Sequence, residues 1–120
     1  MRDNNIKLSL AIAAYNEEKN LEKCLESAVG LVDEIVIADG GSTDKTLEIA
    51  KKFNAKIILT DNPPIFHITK QKAVETCSGE WILQLDADEI LMPELVKEIQ
   101  EVINNNDYNG YSLPRKNYFM

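Results

Sequence analysis

Residues 81–88, WILQLDAD, join an apolar run to two carboxylates, Asp86 and Asp88, that stand one residue apart. The run Trp81–Leu85 is typical of a buried strand, so both carboxylates are expected where that strand ends. Carboxylate oxygens are hard ligands, and Mg²⁺ or Mn²⁺ is often held by one or two of them together with substrate phosphates. A D-x-D pair also fits a solvated acidic turn, so the interpretation depends on the rest of the chain.

Strands and helices alternate on both sides of this segment. The predicted strands are residues 7–13, 34–38, 56–59 and 80–85, and a fifth strand is expected to begin within residues 108–113. The predicted helices are residues 17–29, 44–53 and 68–77, and a fourth that begins near Pro93 and stops at residues 104–107. Strands joined by helices indicate an α/β fold, with a mostly parallel sheet between two layers of helices, as in a Rossmann-like domain.

Local signals set the expected ends of two helices. Leu21, Cys24, Leu25 and Ala28 have the spacing of one apolar helix face. Asn16 is expected to cap this first helix. Gly79 is expected to occupy the usual glycine position after the third helix.

Composition limits the classes of function. The 120 residues are 44% hydrophobic and 28% charged, which fits one soluble globular domain. The net charge of -7 argues against a nucleic-acid partner, because such proteins normally present a basic face. An anionic ligand would need compensation from a metal, from helix N-termini or from a few lysines.

Cysteines and termini bear on the cellular setting. Cys24 and Cys77 match no metal spacing and are expected to be buried, reduced thiols rather than a disulfide. The first residues contain no signal-peptide stretch, and the chain lacks the run of ~20 apolar residues that a membrane span needs. A cytoplasmic location is therefore expected, with peripheral contact at the inner face of the membrane left open. Residues 115–120 carry no stop signature, so we expect the chain to be part of a longer protein.

Polar clusters follow three of the predicted strands. They are residues 14–18 (AYNEE), 39–44 (DGGSTD) and 86–89 (DADE). Ligands of open parallel sheets bind outside the carboxyl ends of the strands, where the strand order reverses, so all three clusters are expected at one edge. Each cluster alone is also explained as a turn or a helix cap.

Individual residues in these clusters suit a nucleotide diphosphate. Asp39 can accept the imide N–H of a uracil ring, and glycines at 40 and 41 allow close approach of the backbone to a ligand. Lys70 and Lys72 can reach phosphates as point charges, although the sequence alone favours solvated side chains for both. The sequence has neither a Gly-x-Gly-x-x-Gly after its first strand nor a Walker P-loop, and no Ser/His/Asp or Cys/His set is recognisable.

Taken together, the three clusters resemble the family 2 glycosyltransferases. The subgroup that they most resemble is that of the lipopolysaccharide-core glucosyltransferases, because residues 33–36 (DEIV), 79–81 (GEW) and 115–119 (RKNYF) are similar to segments of that subgroup. The resemblance covers essentially all 120 residues. It implies a GT-A fold, inversion at the anomeric carbon and a role in cell-envelope polysaccharide or lipopolysaccharide biosynthesis.

The resemblance also implies a set of site residues and ligands. The donor would be a nucleotide-sugar, expected to be a UDP-sugar, and the acceptor a glycan or a lipid-linked sugar. The cofactor would be Mn²⁺ or Mg²⁺, held by Asp88 and Asp86. The residues expected to bind the donor are Ala14, Tyr15, Asn16, Glu17, Asp39, Gly41, Lys70, Asp86 and Ala87.

Two departures from the family pattern matter. Family members often have Arg-Asn where this chain has Gln71-Lys72, which affects the donor contacts there. The family's general base is a carboxylate well beyond the metal motif, and Glu89 is too close to that motif for the role. The base is thus expected beyond residue 120. Residues 1–120 are therefore interpreted as an incomplete, donor-binding GT-A domain that lacks the acceptor part and transfers sugar poorly.

Two other functions remain open at this point. A sugar-1-phosphate nucleotidyltransferase shares the α/β layout, but it would show a glycine- and arginine-rich first loop where this chain has residues 15–18. A non-catalytic nucleotide-binding or self-associating fragment is the other alternative, with Tyr118 and Phe119 pairing two chains into a homodimer.

Overall fold

The computed structural model describes residues 7–60, 66–103 and 117–119. These residues form five strands and four helices, which alternate strictly from the first strand to the last. The strands are β1 (Leu8–Ala14), β2 (Glu34–Asp39), β3 (Lys56–Leu59), β4 (Trp81–Asp86) and β5 (Asn117–Phe119). The helices are α1 (Leu21–Ala28), α2 (Thr46–Lys52), α3 (Phe66–Thr76) and α4 (Pro93–Ile103).

All five strands lie in one parallel sheet with the order β3-β2-β1-β4-β5. The chain moves outward from β1 to β3 and then returns to the other side of β1, so the strand order reverses between β1 and β4. The predicted α/β fold with a parallel sheet is confirmed. The strand expected within residues 108–113 lies outside the described residues, and the strand that pairs with β4 is β5.

Helices cover both faces of the sheet, as the alternation predicts. On one face, Leu10 and Ile12 of β1 share a core with buried residues of α1, α2 and α4. On the other face, Ala11 packs with Val36, Ile82 and the α3 residue Ala73. β1 is buried along its whole length because it lies at the centre of the sheet, with neighbours on both sides.

The start of α1 differs from the prediction. The helix begins at Leu21 rather than at residue 17, and Asn16 does not cap it. Asn16 has a left-handed backbone with φ of 54°, which interrupts the helical path. Its carboxamide and its N–H both bond to the loop after β2, so a tertiary contact replaces the expected cap.

A polar network ties the strands together at the amino edge of the sheet. The Ser9 hydroxyl donates to Glu34 Oε1 at 2.6 Å and accepts from the Gly79 N–H at 2.9 Å. The carboxylate of Asp33 accepts from the N–H groups of Lys7 and Leu8 at 3.0 and 3.1 Å. The subgroup-like residues Asp33, Glu34 and Gly79 therefore organise the sheet at the edge where β1, β2 and β4 begin.

Gly79 does not have the role that its sequence position suggests. α3 ends at Thr76. Among the described residues the glycine with a positive φ is Gly41, so Gly79 does not adopt the left-handed conformation of a glycine that ends a helix. A Cβ on Gly79 would lie 2.7 Å from Ser9 Oγ and 2.9 Å from Ser9 N, so glycine is needed there for close packing.

The cysteines and the helices agree with the remaining expectations. Cys24 and Cys77 are both free and buried, as predicted. Among the described residues, the helices are too short and too polar to cross a membrane.

Candidate donor-binding site at the carboxyl edge

Three loops leave the sheet at its carboxyl edge, beside the end of β1. In the strand register, Ala14 is paired with Asp39 of β2, and Ala13 is paired with Asp86 of β4. Asp39 and Asp86 therefore flank the last residues of β1 on opposite sides. This places the three polar clusters at one edge, next to the point where strand order reverses, as the sequence predicts.

The loops after β1 and β2 are joined by hydrogen bonds from backbone N–H groups to side-chain oxygens. Asn16 N–H donates to the Ser42 hydroxyl at 2.8 Å, and Thr43 N–H donates to Asn16 Oδ1 at 2.8 Å. Because each loop satisfies backbone groups of the other, the two loops behave as one unit. Ala14 ends β1 fully buried below this unit, whereas Tyr15 is exposed beside it.

Further hydrogen bonds join the loop after β1 to the residues at the start of α2. Glu17 N–H donates to the buried Thr46 hydroxyl at 2.8 Å, and Glu18 N–H donates to Asp44 Oδ2 at 3.2 Å. In the other direction, Lys45 N–H donates to Glu18 Oε1 at 3.0 Å. Desolvation opposes ionisation of Asp44, but the bonds from Thr46 and Glu18 outweigh it and lower the pKa of the Asp44 carboxyl.

Asp39 is completely buried and organises its own loop. Its Oδ2 accepts from the N–H groups of Gly41 and Ser42 at 2.9 and 2.8 Å, and its Oδ1 accepts from the Ser42 hydroxyl at 2.6 Å. Gly41 has φ of 100°, a conformation that favours glycine, and it is exposed. Asp39 is thus the centre of the turn, and its contact with a nucleotide base stays a prediction.

Lys70 reaches the site from α3. Its ammonium nitrogen lies 2.8 Å from Asp86 Oδ1 at the end of β4. Both side chains are partly exposed, so this pair lies at the surface of the edge. Lys72, which sequence reasoning treated alongside Lys70, is exposed on the same helix. Gln71 donates to Glu75 within the same helix.

The turn that follows β4 carries the two predicted metal ligands. Ala87 is buried in the core shared by α1 and α4, and Asp88 is exposed. Glu89 N–H donates to the Asp86 carbonyl at 2.9 Å, and Glu89 Oε1 accepts from Asp86 N–H at 2.7 Å. The buried alanine faces the core while the carboxylates remain at the sheet edge.

Two side chains of α1 bond to the backbone of this turn and of the residues that follow it. Cys24 Sγ donates to the Asp86 carbonyl at 3.6 Å, and Leu91 N–H donates to the Ser27 hydroxyl at 3.0 Å. Burial, followed by the nearby carboxylates Glu89 and Asp88, raises the pKa of the Cys24 thiol to about 12. Cys24 is therefore a protonated packing residue near neutral pH rather than a nucleophile.

The two carboxylates fit an open divalent-cation site rather than a closed one. Across the parts of the chain that the structure describes, no three His, Cys, Asp or Glu side chains are grouped closely enough to enclose an ion. Asp86 and Asp88 offer hard oxygen ligands on an exposed turn, where an ion would complete its shell with water and phosphate oxygens. The chemistry of the donor set fits Mg²⁺ or Mn²⁺ in that form.

Sequence reasoning placed Ser42 and Glu89 in the polar clusters without assigning their contacts, and it did not single out Thr46. Ser42, Thr46 and Glu89 each accept or donate a hydrogen bond that fixes a predicted site residue. Ser and Thr in a turn signal local capping, and Ser42 and Thr46 do bond to Asp39 and Asp44 nearby. The partners through which they join the loops, however, lie 26 and 29 residues away along the chain. For Glu89, three residues after Asp86, local spacing does suggest the partner.

The sequence matches the profile of the family described as Glycosyl transferase family 2 over residues 9–120. An uncharacterized glycosyltransferase of Rickettsia bellii (strain RML369-C) is 34% identical over 106 residues, which are 88% of this chain and 35% of that protein. The SPbeta prophage-derived glycosyltransferase SunS of Bacillus subtilis (strain 168) is 30% identical over 105 residues, which are 79% of this chain and 23% of that protein. The chain thus spans about a third or less of the length of these curated relatives.

Solved structures share the fold. The crystal structure of S. aureus TarS residues 1–349 superposes with a TM-score of 0.74 and 25% identity, covering 92% of this chain and 39% of that chain. The glucosyl-3-phosphoglycerate synthase from Mycobacterium tuberculosis, in complex with UDP, has a TM-score of 0.68 and 24% identity, covering 84% of this chain and 41% of that chain. These similarities establish the GT-A fold. Together with the family match over nearly the whole chain, they lead to the conclusion that the chain belongs to glycosyl transferase family 2.

Proposed function

We propose that this chain is the donor-binding part of an inverting glycosyltransferase that uses a nucleotide-sugar. The observation that carries the proposal is the convergence of Asp39 and Asp86 on either side of the end of β1. That convergence lies where ligands of open parallel sheets bind. Membership of glycosyl transferase family 2 supports the reaction class.

The proposed nucleotide is UDP. TarS has been solved in complex with UDP, and the mycobacterial synthase in complex with UDP-glucose and Mn²⁺. In the proposal, the joined loops that contain Tyr15, Asn16 and Glu17 line the nucleotide pocket. Asp39 recognises the base, and because Asp39 is buried, that contact requires movement of the loop above it.

The diphosphate end of the donor would lie near Asp86, Asp88 and Lys70. Lys70 supplies a positive charge that already lies beside Asp86, and the two aspartates supply oxygen ligands. A divalent cation held there, Mn²⁺ or Mg²⁺, would offset the charge that develops on the leaving diphosphate. The cation and Lys70 would also supply the positive charge that an anionic donor needs in a chain whose net charge is -7.

The acceptor side of the proposal concerns the catalytic base and the acceptor itself. Inversion requires a base that takes the proton of an acceptor hydroxyl. Glu89 Oε1 already accepts a hydrogen bond from Asp86 N–H, so we keep the prediction that the base lies beyond residue 120. The acceptor would be a glycan or a lipid-linked sugar, handled at the cytoplasmic face of the membrane.

The proposed pathway is cell-envelope polysaccharide or lipopolysaccharide biosynthesis. It rests on segments similar to those of lipopolysaccharide-core enzymes. Two of these segments include Asp33, Glu34 and Gly79, whose contacts lie at the amino edge of the sheet. Because Asp33, Glu34 and Gly79 support the sheet rather than the donor loops, donor binding does not test the pathway. Transfer assays with defined acceptors test it.

Calorimetric titration with UDP, with and without Mn²⁺, tests the donor proposal, with GDP as the competing nucleotide. We expect UDP to bind more tightly when Mn²⁺ is present and to bind more tightly than GDP. Asp88→Asn should weaken Mn²⁺-dependent binding by about tenfold or more, a change of about 1.4 kcal/mol. Glu98→Gln, which removes the same charge from an exposed position on α4, is the matched control.

Two results would contradict the proposal. Equal affinity for UDP in wild type and Asp88→Asn at Mn²⁺ concentrations that only partly saturate the wild type would remove Asp88 from the cation site. Absence of binding to any nucleotide diphosphate would remove the donor-binding role from this chain.

A further inference from the structure

Glu89 closes the turn after β4 by two hydrogen bonds to a single residue. Its N–H donates to the Asp86 carbonyl at 2.9 Å, which is the usual bond of a four-residue turn. Its side-chain oxygen Oε1 accepts from Asp86 N–H at 2.7 Å. Both backbone groups of Asp86 are therefore bonded to Glu89.

The second of these bonds is a strong one. An N–H that donates to an ionised carboxylate forms a charge-assisted hydrogen bond, which is shorter and stronger than a neutral one. A similar bond stabilises the first turn of many helices, where a glutamate reaches back to a backbone N–H three residues earlier. Here the bond occurs at the end of a strand, around the residue pair Asp86–Asp88.

The direction of the Glu89 side chain separates it from the metal ligands. Asp86, Asp88 and Glu89 are close in sequence, yet they do not form a three-carboxylate group that could enclose an ion, a statement that holds for residues 7–60, 66–103 and 117–119. Glu89 Oε1 is directed to the backbone of Asp86 instead. Its effect on an ion would therefore be indirect, through the backbone that carries both aspartates.

We infer that Glu89 is a positioning residue, which fixes the backbone of the turn so that Asp86 and Asp88 present their carboxylates to the cation of a nucleotide diphosphate. This inference rests on the proposed function for its ligand. Groups that orient metal ligands commonly matter almost as much as the ligands themselves. Two side chains of α1, Cys24 and Ser27, bond to the backbone of Asp86 and Leu91 at the ends of the same segment, and Glu89 adds a bond at Asp86.

Two substitutions at one position separate positioning from ligation. Glu89→Gln keeps an oxygen that can accept from Asp86 N–H but removes the charge, whereas Glu89→Ala removes the acceptor. We expect Glu89→Ala to weaken Mn²⁺-dependent UDP binding by about 10- to 100-fold, the range typical for residues that orient metal ligands. Glu89→Gln should retain affinity within about threefold of wild type, which is about 0.7 kcal/mol.

A measurement without ligands keeps the inference independent of the donor proposal. Hydrogen exchange of the Asp86 amide, followed by NMR, should be faster in Glu89→Ala than in wild type and near wild type in Glu89→Gln. Glu98→Ala, an exposed glutamate of α4, controls for loss of one negative charge and should leave both the exchange and the affinity unchanged.

The outcomes distinguish the two proposals. If wild type fails to bind UDP, the proposed function fails, and the Asp86 exchange rates alone decide whether Glu89 closes the turn. If Glu89→Gln loses as much affinity as Glu89→Ala while its Asp86 amide exchange stays near wild type, the charge of Glu89 acts on the ion and positioning is overturned in favour of ligation. If Glu89→Ala binds UDP and Mn²⁺ as wild type does, or leaves Asp86 exchange unchanged, Glu89 does not position the turn.

Discussion

The ammonium nitrogen of Lys70 lies 2.8 Å from a carboxylate oxygen of Asp86 and thereby joins α3 to the end of β4. Both side chains are partly exposed, and ion pairs of that kind contribute only about 0–1 kcal/mol to stability. The pair therefore matters less for stability than for the placement of charge, because it puts a positive charge beside the carboxylates of Asp86 and Asp88.

Lys70→Met should weaken UDP binding by about tenfold or more, since hydrogen bonds to charged groups contribute about 1.5–3 kcal/mol. Uridine, which lacks the diphosphate, should bind both forms equally. Calorimetric titration with each ligand measures the difference. Lys72→Met is the matched control, because Lys72 is exposed on the same helix. Equal losses for UDP and uridine would mean that Lys70 does not act on the diphosphate.

Thr46→Val should both destabilise the protein and weaken nucleotide binding. The buried Thr46 hydroxyl accepts from Glu17 N–H and donates to Asp44 Oδ1, so valine leaves that N–H without its partner. The expected loss in the free energy of unfolding is about 1–3 kcal/mol, measured by urea denaturation. Thr43→Val, at an exposed position of the same loop, removes only a long 3.5 Å bond from its hydroxyl to Asn16 Oδ1 and keeps the shorter bond from its N–H, so it should change stability by less than about 0.5 kcal/mol. A Thr46→Val variant as stable as wild type would contradict the contribution of the contact between the loops.

The general layout could be predicted from the sequence because it depends on local patterns. The apolar runs and the helical spacing of Leu21, Cys24 and Leu25 each act within a few residues. The rule that parallel strands end at one edge then brings Asp39 and Asp86 together without any knowledge of side-chain contacts.

The predictions that were wrong, for the start of α1 and the role of Gly79, concern residues whose partners lie far away in the chain. α1 begins late because Asn16 bonds to Ser42 and Thr43, and nothing in residues 16–20 indicates those partners. Gly79 resembles a helix cap in sequence, but its need for glycine arises from Ser9 on the neighbouring strand, 70 residues earlier. Such contacts become visible only after the strand order is known.

Gly79→Ala should destabilise the sheet without affecting the donor edge. The new Cβ would lie 2.7 Å from Ser9 Oγ and 3.0 Å from the Trp81 carbonyl, and such overpacking typically costs about 1–3 kcal/mol. Urea denaturation measures this loss. Gly30→Ala, where a Cβ has no neighbour within 4 Å, should be neutral or slightly stabilising. If both variants have the same stability, the close packing of Gly79 on Ser9 does not limit the choice of residue.

Glu34 should contribute to loss of stability in acid. Partial burial opposes its ionisation, but hydrogen bonds from Ser78 N–H and the Ser9 hydroxyl, with the charge of Lys56, lower the pKa of Glu34 below its ordinary value of 4.5. Because the folded state holds this carboxyl ionised more strongly than the unfolded state does, the contribution is present above that ordinary value. It is lost as pH falls through the lowered pKa of the folded state.

Glu34→Gln removes this titration while keeping an oxygen that can accept from Ser78 and Ser9. The free energy of unfolding, measured in urea from about pH 6 to about pH 3, should therefore fall less steeply in Glu34→Gln than in wild type. Glu98→Gln, at an exposed position of α4, should follow the wild-type curve. Parallel curves for wild type and Glu34→Gln would mean that the network at the amino edge does not depend on the charge of Glu34, and that its hydrogen bonds alone hold β1, β2 and β4 in place.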